Sequence, residues 1–379
     1  LTAWLKAAGS SPATAKAVLE GLTQGWPEGV SPTLDASTEA ALKDSMRTLG
    51  EEGQDRLLIL ANRWGRLNLF PEAVAKATQR LKATVEATGR ADSDRTAAAR
   101  AWVNLQDTPE TLRTLVGQIS PQSSPELATG ILRALGDSHQ PSLGDTLLER
   151  WNTLTPGQKR AALTVLLRRV AWTNRVLTGL ESGELHANDL GWEQWQSLRN
   201  HSDTAVVQRA SSVQGRKAPV SADREEVLKR LLPAASKAGD SVRGHEVFTA
   251  NCGVCHLFYG QGGKVGPDLS GIGVRPKAEL LGEILDPNRS VESNYVLWTV
   301  ETKGGDTFSG RLDTESTTSI ELYDLQGQKH VLPRSEITRL EASRQSIMPT
   351  GFEQLGEQPL ADLLAFLASG SGVSRGTKP

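Results

Sequence analysis

The sequence is poor in cysteine and methionine, with two residues of each among 379. The two cysteines, Cys252 and Cys255, lie three positions apart, so disulfide bonds cannot organise the fold. No apolar run approaches the ~20 residues that span a bilayer, so we expect no transmembrane segment. The formal net charge is only -2, which argues against a nucleic-acid partner. The first residues also lack a basic segment followed by an apolar one, so any export signal is expected to have been removed or to lie outside this sequence.

Strand-like alternation is absent from residues 1–215, where Ala- and Leu-rich stretches alternate with Pro, Gly, Ser and Asp, as is typical of helices. Three segments resemble one another and recur about every 31 residues, at 93–107, 124–137 and 155–169. A second predicted helix follows each, at 109–119, 144–154 and 172–179. Because a two-helix unit cannot bury its apolar face alone, we predict a HEAT-like α-helical repeat domain over residues 1–215. An irregular helical bundle is the alternative.

Aromatic residues make up only 5% of the chain, yet eight of the nine tryptophans precede residue 200. Large rings at helical spacing usually fill the core between helices, so we predict core positions for them rather than a ligand groove.

The helical sequence pattern changes twice after residue 211, first to a linker and later to strand-like alternation. Gly, Pro and Ser interrupt the apolar periodicity, which predicts a linker and helix over residues 216–239, ahead of a domain at 240–370. Four short alternating runs then predict an antiparallel β insertion at about 293–343, with an SH3-like barrel as its expected form. A flexible tail is predicted for residues 371–379.

Cys252-Gly-Val-Cys255-His256 is the C-x-x-C-H pattern of covalent haem attachment. Two thiols one helical turn apart can reach both vinyl groups of a haem, and the adjacent imidazole then reaches the iron. A thioredoxin-like redox pair is one alternative, but it needs a preceding strand, whereas residues 242–250 are predicted to be helical. A structural zinc site is another, but it needs a fourth ligand, such as His245 or His330.

Two further segments fit the haem interpretation. Gly266-Pro267-Asp268-Leu269 lies where cytochromes c place a loop whose carbonyl accepts the N–H of the proximal imidazole, so Pro267 and Leu269 are predicted haem contacts. Met348 precedes a proline just ahead of the final predicted helix, and the only other methionine is Met46. We therefore predict His256 and Met348 as the two iron ligands.

Residues 240–368 resemble the haem-binding domain of large membrane-bound dehydrogenases of planctomycetes and verrucomicrobia. The matching pieces are 244–248, 252–256, 266–269, 272–273, 280–287, Tyr295, Gly310, 346–349 and 361–367. The resemblance implies a class I-like cytochrome c domain with a β insertion between the C-x-x-C-H and Met-Pro motifs, preceded by helical repeats. It also implies that Arg275 holds a haem propionate, for which an exposed arginine with no partner is the alternative. The β-propeller dehydrogenase domain of that family has no counterpart here.

The predicted fold is thus mainly α: a HEAT-like array followed by a cytochrome c domain with a small β insertion. One covalent haem c on Cys252 and Cys255 predicts an electron-transfer module that relays electrons from a dehydrogenase to a respiratory acceptor. Residues 1–239 show no nucleotide fingerprint or paired-carboxylate site, so we expect no catalytic activity of the chain's own. The alternatives are the C-terminal part of a sugar or alcohol dehydrogenase and a five-coordinate haem protein that binds gas or peroxide. Because bacteria attach c-type haem outside the cytoplasmic membrane, we expect a periplasmic or otherwise exported protein.

Overall fold

A computed structural model of the chain describes residues 12–27, 30–214 and 222–370. The chain divides into two compact units, of which the first comprises residues 1–119 and 126–146 and the second residues 120–125 and 147–379. The predicted linker falls partly, and the predicted tail wholly, outside the described residues. The domain boundaries given above therefore stay a prediction.

Helices occupy the described residues before 215, as the sequence predicts. Helices α1 to α6 are Pro12–Gly25, Ala36–Thr48, Glu51–Arg63, Pro71–Glu86, Asp92–Leu105 and Pro109–Gly117. Helices α7 to α12 are Pro125–Leu135, Leu143–Leu148, Pro156–Leu166, Val170–Ser182, Trp192–Arg199 and Thr204–Gln214. Local sequence explains several of the starts: Pro occupies the first turn of α6 and α9, and Thr155 and Gln158 form a reciprocal capping box on α9.

The three similar segments form α5, α7 and α9, and a second helix follows each of them. The mainly helical fold is therefore confirmed, while the HEAT-like class of the repeats stays a prediction. Within the described residues no helix is long and apolar enough to cross a membrane.

Most of the tryptophans that the structure describes lie in the core, as predicted. Trp64, Trp151 and Trp172 are almost fully buried. Trp192 is an exception, since 72% of its surface is exposed. It lies in the first turn of a short helix whose buried residues are Trp195 and Leu198, so its ring faces away from that core.

The second unit continues with four helices: α13 (Ala222–Leu231), α14 (Ser241–Asn251), α15 (Lys277–Leu285) and α16 (Glu357–Ala368). Helices α14 and α16 approach closely because glycine lies at the contact. A Cβ atom at Gly244 would be 2.0 Å from the Asp362 carbonyl oxygen. Any larger residue there would have to push the helices apart.

Strands β1 (Leu257–Phe258) and β2 (Gln261–Gly262) form a short antiparallel pair between α14 and α15 in the chain. Five more strands follow between α15 and α16: β3 (Val296–Thr302), β4 (Thr307–Glu315), β5 (Ser319–Tyr323), β6 (Lys329–Pro333) and β7 (Ile337–Ser346). They form one antiparallel sheet in the order β6-β5-β4-β3-β7. Strands β3 to β6 correspond to the four predicted alternating runs, and one face buries a core around Trp298, Val300 and Leu322. The antiparallel sheet is confirmed, whereas its SH3-like closure stays a prediction. The predicted pattern did not include β7, and β7 carries the sheet on to Ser346.

Candidate functional site

The two cysteines lie where helix α14 ends. Asp240 caps the start of this helix by accepting hydrogen bonds from the backbone N–H groups of Val242 and Arg243. Its last turn continues into the motif, because the Cys252 N–H donates to the Phe248 carbonyl (2.7 Å) and the His256 N–H donates to the Cys252 carbonyl (2.9 Å). Both thiols are free. Burial raises the pKa of the Cys252 thiol to about 12, so this sulfur lies in apolar rather than polar surroundings.

His256 is buried, with 9% of its surface exposed. Its Nδ1 atom lies 2.9 Å from the Pro267 carbonyl oxygen. A carbonyl only accepts hydrogen bonds, so Nδ1 carries the proton and the lone pair lies on Nε2. Burial lowers the pKa of the imidazole, and the bond to Pro267, which acts to raise it, does not offset this effect. The ring is thus neutral and oriented, which is the state that ligates a metal.

The loop after the motif returns to lie against the imidazole. The Gly266 N–H donates to the Cys255 carbonyl, and the Leu269 N–H donates to the Leu257 carbonyl, each at 2.8 Å. Gly266 packs directly on the ring, since a Cβ atom there would be 2.5 Å from His256 Cε1. Pro267 therefore meets the imidazole through its carbonyl, and Leu269 lines the adjoining cavity.

Gly266→Ala is expected to displace the imidazole, because the added methyl group has no room beside the His256 ring. We expect the protein to bind less haem and its reduction potential to shift, since ring orientation tunes a metal ligand. Haem per protein and potentiometric titration measure both. Gly304→Ala is the control, since a Cβ atom there would lie 3.6 Å from its nearest neighbour. Unchanged haem content and potential in Gly266→Ala would show that the ring tolerates movement.

Met348 follows the end of β7 and lines the same cavity as Cys252, Cys255 and His256. The preceding residues fix its position: the Ser346 N–H donates to Asn288 Oδ1 (2.8 Å), and the Ile347 N–H donates to the Tyr295 carbonyl (2.8 Å). The Met348 N–H donates to the Ser346 hydroxyl (3.1 Å). Residues far apart in the sequence are thus brought to one cavity, with the sheet between them in the chain.

The cavity measures about 1980 Å3, more than the ~300–1,000 Å3 typical of small-molecule sites. It therefore has room for a large cofactor. Apolar side chains form much of its lining, including Phe248, Val265, Leu269, Ile272, Leu363 and Leu367. Two free thiols and a neutral imidazole beside apolar side chains are the groups that attach and ligate a c-type haem, and Met348 adds a thioether to the same cavity.

Arg275 also lines the cavity, but its guanidinium has acidic partners that the sequence prediction did not include. Nη1 donates to Glu283 Oε2 at 2.8 Å, and Glu279 lies 3.7 Å away. The hydrogen bond that Arg275 donates to Glu283 is the main cause that raises the pKa of Arg275. A role toward a propionate stays a prediction.

Several cavity residues were not predicted from the sequence. Arg224 and Glu353 form an ion pair at the cavity. The turn between β5 and β6 reaches the motif, since the Leu325 carbonyl oxygen lies 3.9 Å from Cys255 Sγ. No sequence signal indicated what this turn contacts.

The two histidines that a zinc site would recruit are engaged elsewhere. The His245 ring packs on Phe366 with 5.1 Å between centroids, and His330 Nε2 lies 2.8 Å from Asp324 Oδ2. In the part of the chain that the structure describes, no three His, Cys, Asp or Glu side chains form a group that could hold a metal ion.

Residues 241–323 match the family model of cytochrome c. No curated protein matches the chain. The matched segment contains both cysteines, His256 and the loop at Pro267, and it ends before Met348. Together with the free thiols in the cavity, the match shows a cytochrome c domain that binds haem c covalently through Cys252 and Cys255. Haem-based electron transfer is the function that this domain indicates.

Proposed function

We propose that the chain is an electron-transfer module that relays electrons from a dehydrogenase to a respiratory acceptor. One observation carries the proposal: Cys252, Cys255, His256 and Met348 line a single, largely apolar cavity. A haem held by these residues would supply one-electron exchange between the ferrous and ferric states of its iron.

The protein residues set the conditions for that exchange. The Pro267 carbonyl holds the His256 ring with Nε2 available as the proximal ligand. Met348 is the proposed distal ligand, and its thioether would raise the reduction potential and leave no coordination position for a substrate. Apolar side chains such as Phe248, Leu269 and Leu363 would lower the polarity around a bound haem, which is one of the factors that set its reduction potential.

The partners and location follow from the chemistry of the cofactor. A carrier without a substrate site needs a donor that oxidises substrate and an acceptor that removes the electron, so we propose a dehydrogenase and a respiratory acceptor as its partners. Since bacteria attach c-type haem outside the cytoplasmic membrane, we propose that the protein works in the periplasm or is otherwise exported.

The visible spectrum of the oxidised and dithionite-reduced protein, followed by a pyridine haemochrome assay, tests this function. We expect sharp low-spin bands on reduction, a thioether-to-iron charge-transfer band on oxidation, and one haem per chain. In Cys252→Ala/Cys255→Ala, acid-acetone extraction should remove any bound haem, whereas haem should stay with the wild-type chain. A colourless protein with stoichiometric zinc would overturn the proposal. A high-spin spectrum would replace it with a five-coordinate haem that binds small ligands.

A further inference from the structure

The segment that carries Met348 is tied to a helix that precedes the attachment motif. Arg224 on α13 donates from Nη1 to Glu353 Oε1 at 2.7 Å. Glu353 lies in the 3-10 helix Phe352–Leu355, five residues after Met348. Both side chains line the cavity, and each is 21% exposed. The pair therefore spans two parts of the chain at the site that is proposed to hold the haem.

Glu353 depends on Arg224 because its carboxylate is otherwise poorly solvated. Its Oε2 atom is buried and has no hydrogen-bond partner. Burial acts to raise the pKa of the Glu353 carboxyl, but hydrogen bonds from the backbone and from Arg224 outweigh it and hold the pKa below its ordinary value. Loss of Arg224 would leave a largely buried carboxylate without its cation, which favours movement of the segment toward water.

The Met348 segment has one anchor on each side. Before the methionine, the Ser346 N–H is held by Asn288. After it the chain turns at Gly351, whose φ of 110° is a conformation that favours glycine. Glu353 then ties the returning chain to Arg224. The Arg224–Glu353 ion pair is thus the anchor on the C-terminal side of the short loop that carries Met348 at the cavity.

We propose that Arg224 and Glu353 are positioning residues that hold the Met348 loop against the cavity and so control the access of small diatomic ligands to the iron. This inference rests on the proposed function, in which Met348 is the distal ligand. It concerns a contact outside the segment that matches cytochrome c, since the match covers residues 241–323.

The test compares Arg224→Gln, Glu353→Gln and Arg224→Lys with the wild-type holoprotein. The control is Lys237→Gln, which breaks a 2.8 Å ion pair with Glu357 on α16. That pair also joins the chain before the motif to the C-terminal helix, but neither of its residues lines the cavity, and each side chain is 41% exposed. The readouts are the thioether-to-iron band of the oxidised protein and the rate at which the reduced protein binds carbon monoxide.

Arg224→Gln and Glu353→Gln should weaken the band and bind carbon monoxide about tenfold faster than the wild type, a factor at the low end for losing a hydrogen bond between charged groups. Arg224→Lys should largely restore slow binding, and Lys237→Gln should match the wild type. If Arg224→Gln and Lys237→Gln bind carbon monoxide at equal rates and both keep the band, the positioning role is overturned and the proposed function is not. Absence of the band from the wild type would overturn the Met-ligated function itself. If the glutamine variants fail to fold, Glu353→Asp decides, because it keeps the charge but withdraws the carboxylate from Arg224 by one methylene group. A carbon monoxide rate between those of the wild type and Met348→Leu supports the inference, and a wild-type rate overturns it.

Discussion

Met348→Leu is expected to lower the reduction potential by on the order of 100 mV, a fraction of the ~0.8 V range that axial ligands span. Leucine keeps the approximate size of the side chain and removes its sulfur. Because Ser346 and Ile347 still anchor the segment, the main change at the cavity is loss of the thioether. The reduced variant should bind carbon monoxide readily, and its oxidised form should lose the thioether-to-iron band.

Met46→Leu provides the matched control for this experiment. Met46 is the only other methionine, and it is buried on α2 in the first unit. The same chemical change there should leave the potential and the spectrum as in the wild type. If Met348→Leu remains low-spin and resists carbon monoxide, another residue occupies the distal position, and the assignment of Met348 is wrong.

The attachment site could be predicted from the sequence because its geometry is local. The spacing of Cys252, Cys255 and His256 is set by one hydrogen-bonded turn, which follows directly on the end of α14. The loop at Pro267 lies only eleven residues after His256, and its carbonyl is in fact 2.9 Å from the imidazole. Short sequence separation leaves few alternative arrangements, so pattern and geometry agree.

Contacts between distant segments could not be predicted in this way. Arg224 and Glu353 are separated by 129 residues, and no periodicity links them. The partners of Arg275 are a different case. Glu279 lies four residues after it, but Arg275 precedes α15 and has an extended backbone, so the rule for pairs on one helix face does not predict this contact.

Strand β7 was not predicted from the sequence, and the reason is its position in the sheet. Its sequence, Ile337–Ser346, is largely polar and includes Arg339 and Glu341, which pair with each other at 2.7 Å. β7 lies at the edge of the sheet, where one side has no strand neighbour and charged side chains are favourable. Hydrophobic alternation is therefore weak, although β7 pairs with β3 over much of its length.

The buried carboxylate of Asp362 holds helices α14 and α16 together. Its replacement is the second change, after Met348→Leu, that is expected to have a large effect. Asp362 accepts hydrogen bonds from the Asp240 N–H (2.7 Å), Arg243 Nε (2.9 Å) and Gln358 Nε2 (2.9 Å). Its side chain is 4% exposed, whereas that of Arg243 is 58% exposed. The bonds from Arg243 first, and then those from Asp240 and Gln358, lower the pKa of Asp362 to about 2.

Asp362→Asn is expected to lower the free energy of unfolding of this domain by about 2 kcal/mol, as for loss of charge-assisted hydrogen bonds. The ~3–5 kcal/mol cost of breaking a fully buried ion pair does not apply, because Arg243 remains in contact with water after the change. Urea unfolding followed by haem absorbance reports on this domain. Glu357→Gln on the same helix is the control, since its exposed pair with Lys237 should contribute ~0–1 kcal/mol.

The hydrogen bonds to Asp362 also predict that the stability of this domain falls as the pH is lowered. The pKa of Asp362 is depressed in the folded state, so its contribution to stability is present above its ordinary value of 3.8 and is lost as pH falls toward about 2. Between these values the wild type should lose stability more steeply than Asp362→Asn, and the two unfolding curves should converge. Parallel curves across that range would mean that the carboxylate does not carry the contact between α14 and α16. The close approach at Gly244 would then be the feature that holds the attachment helix in place.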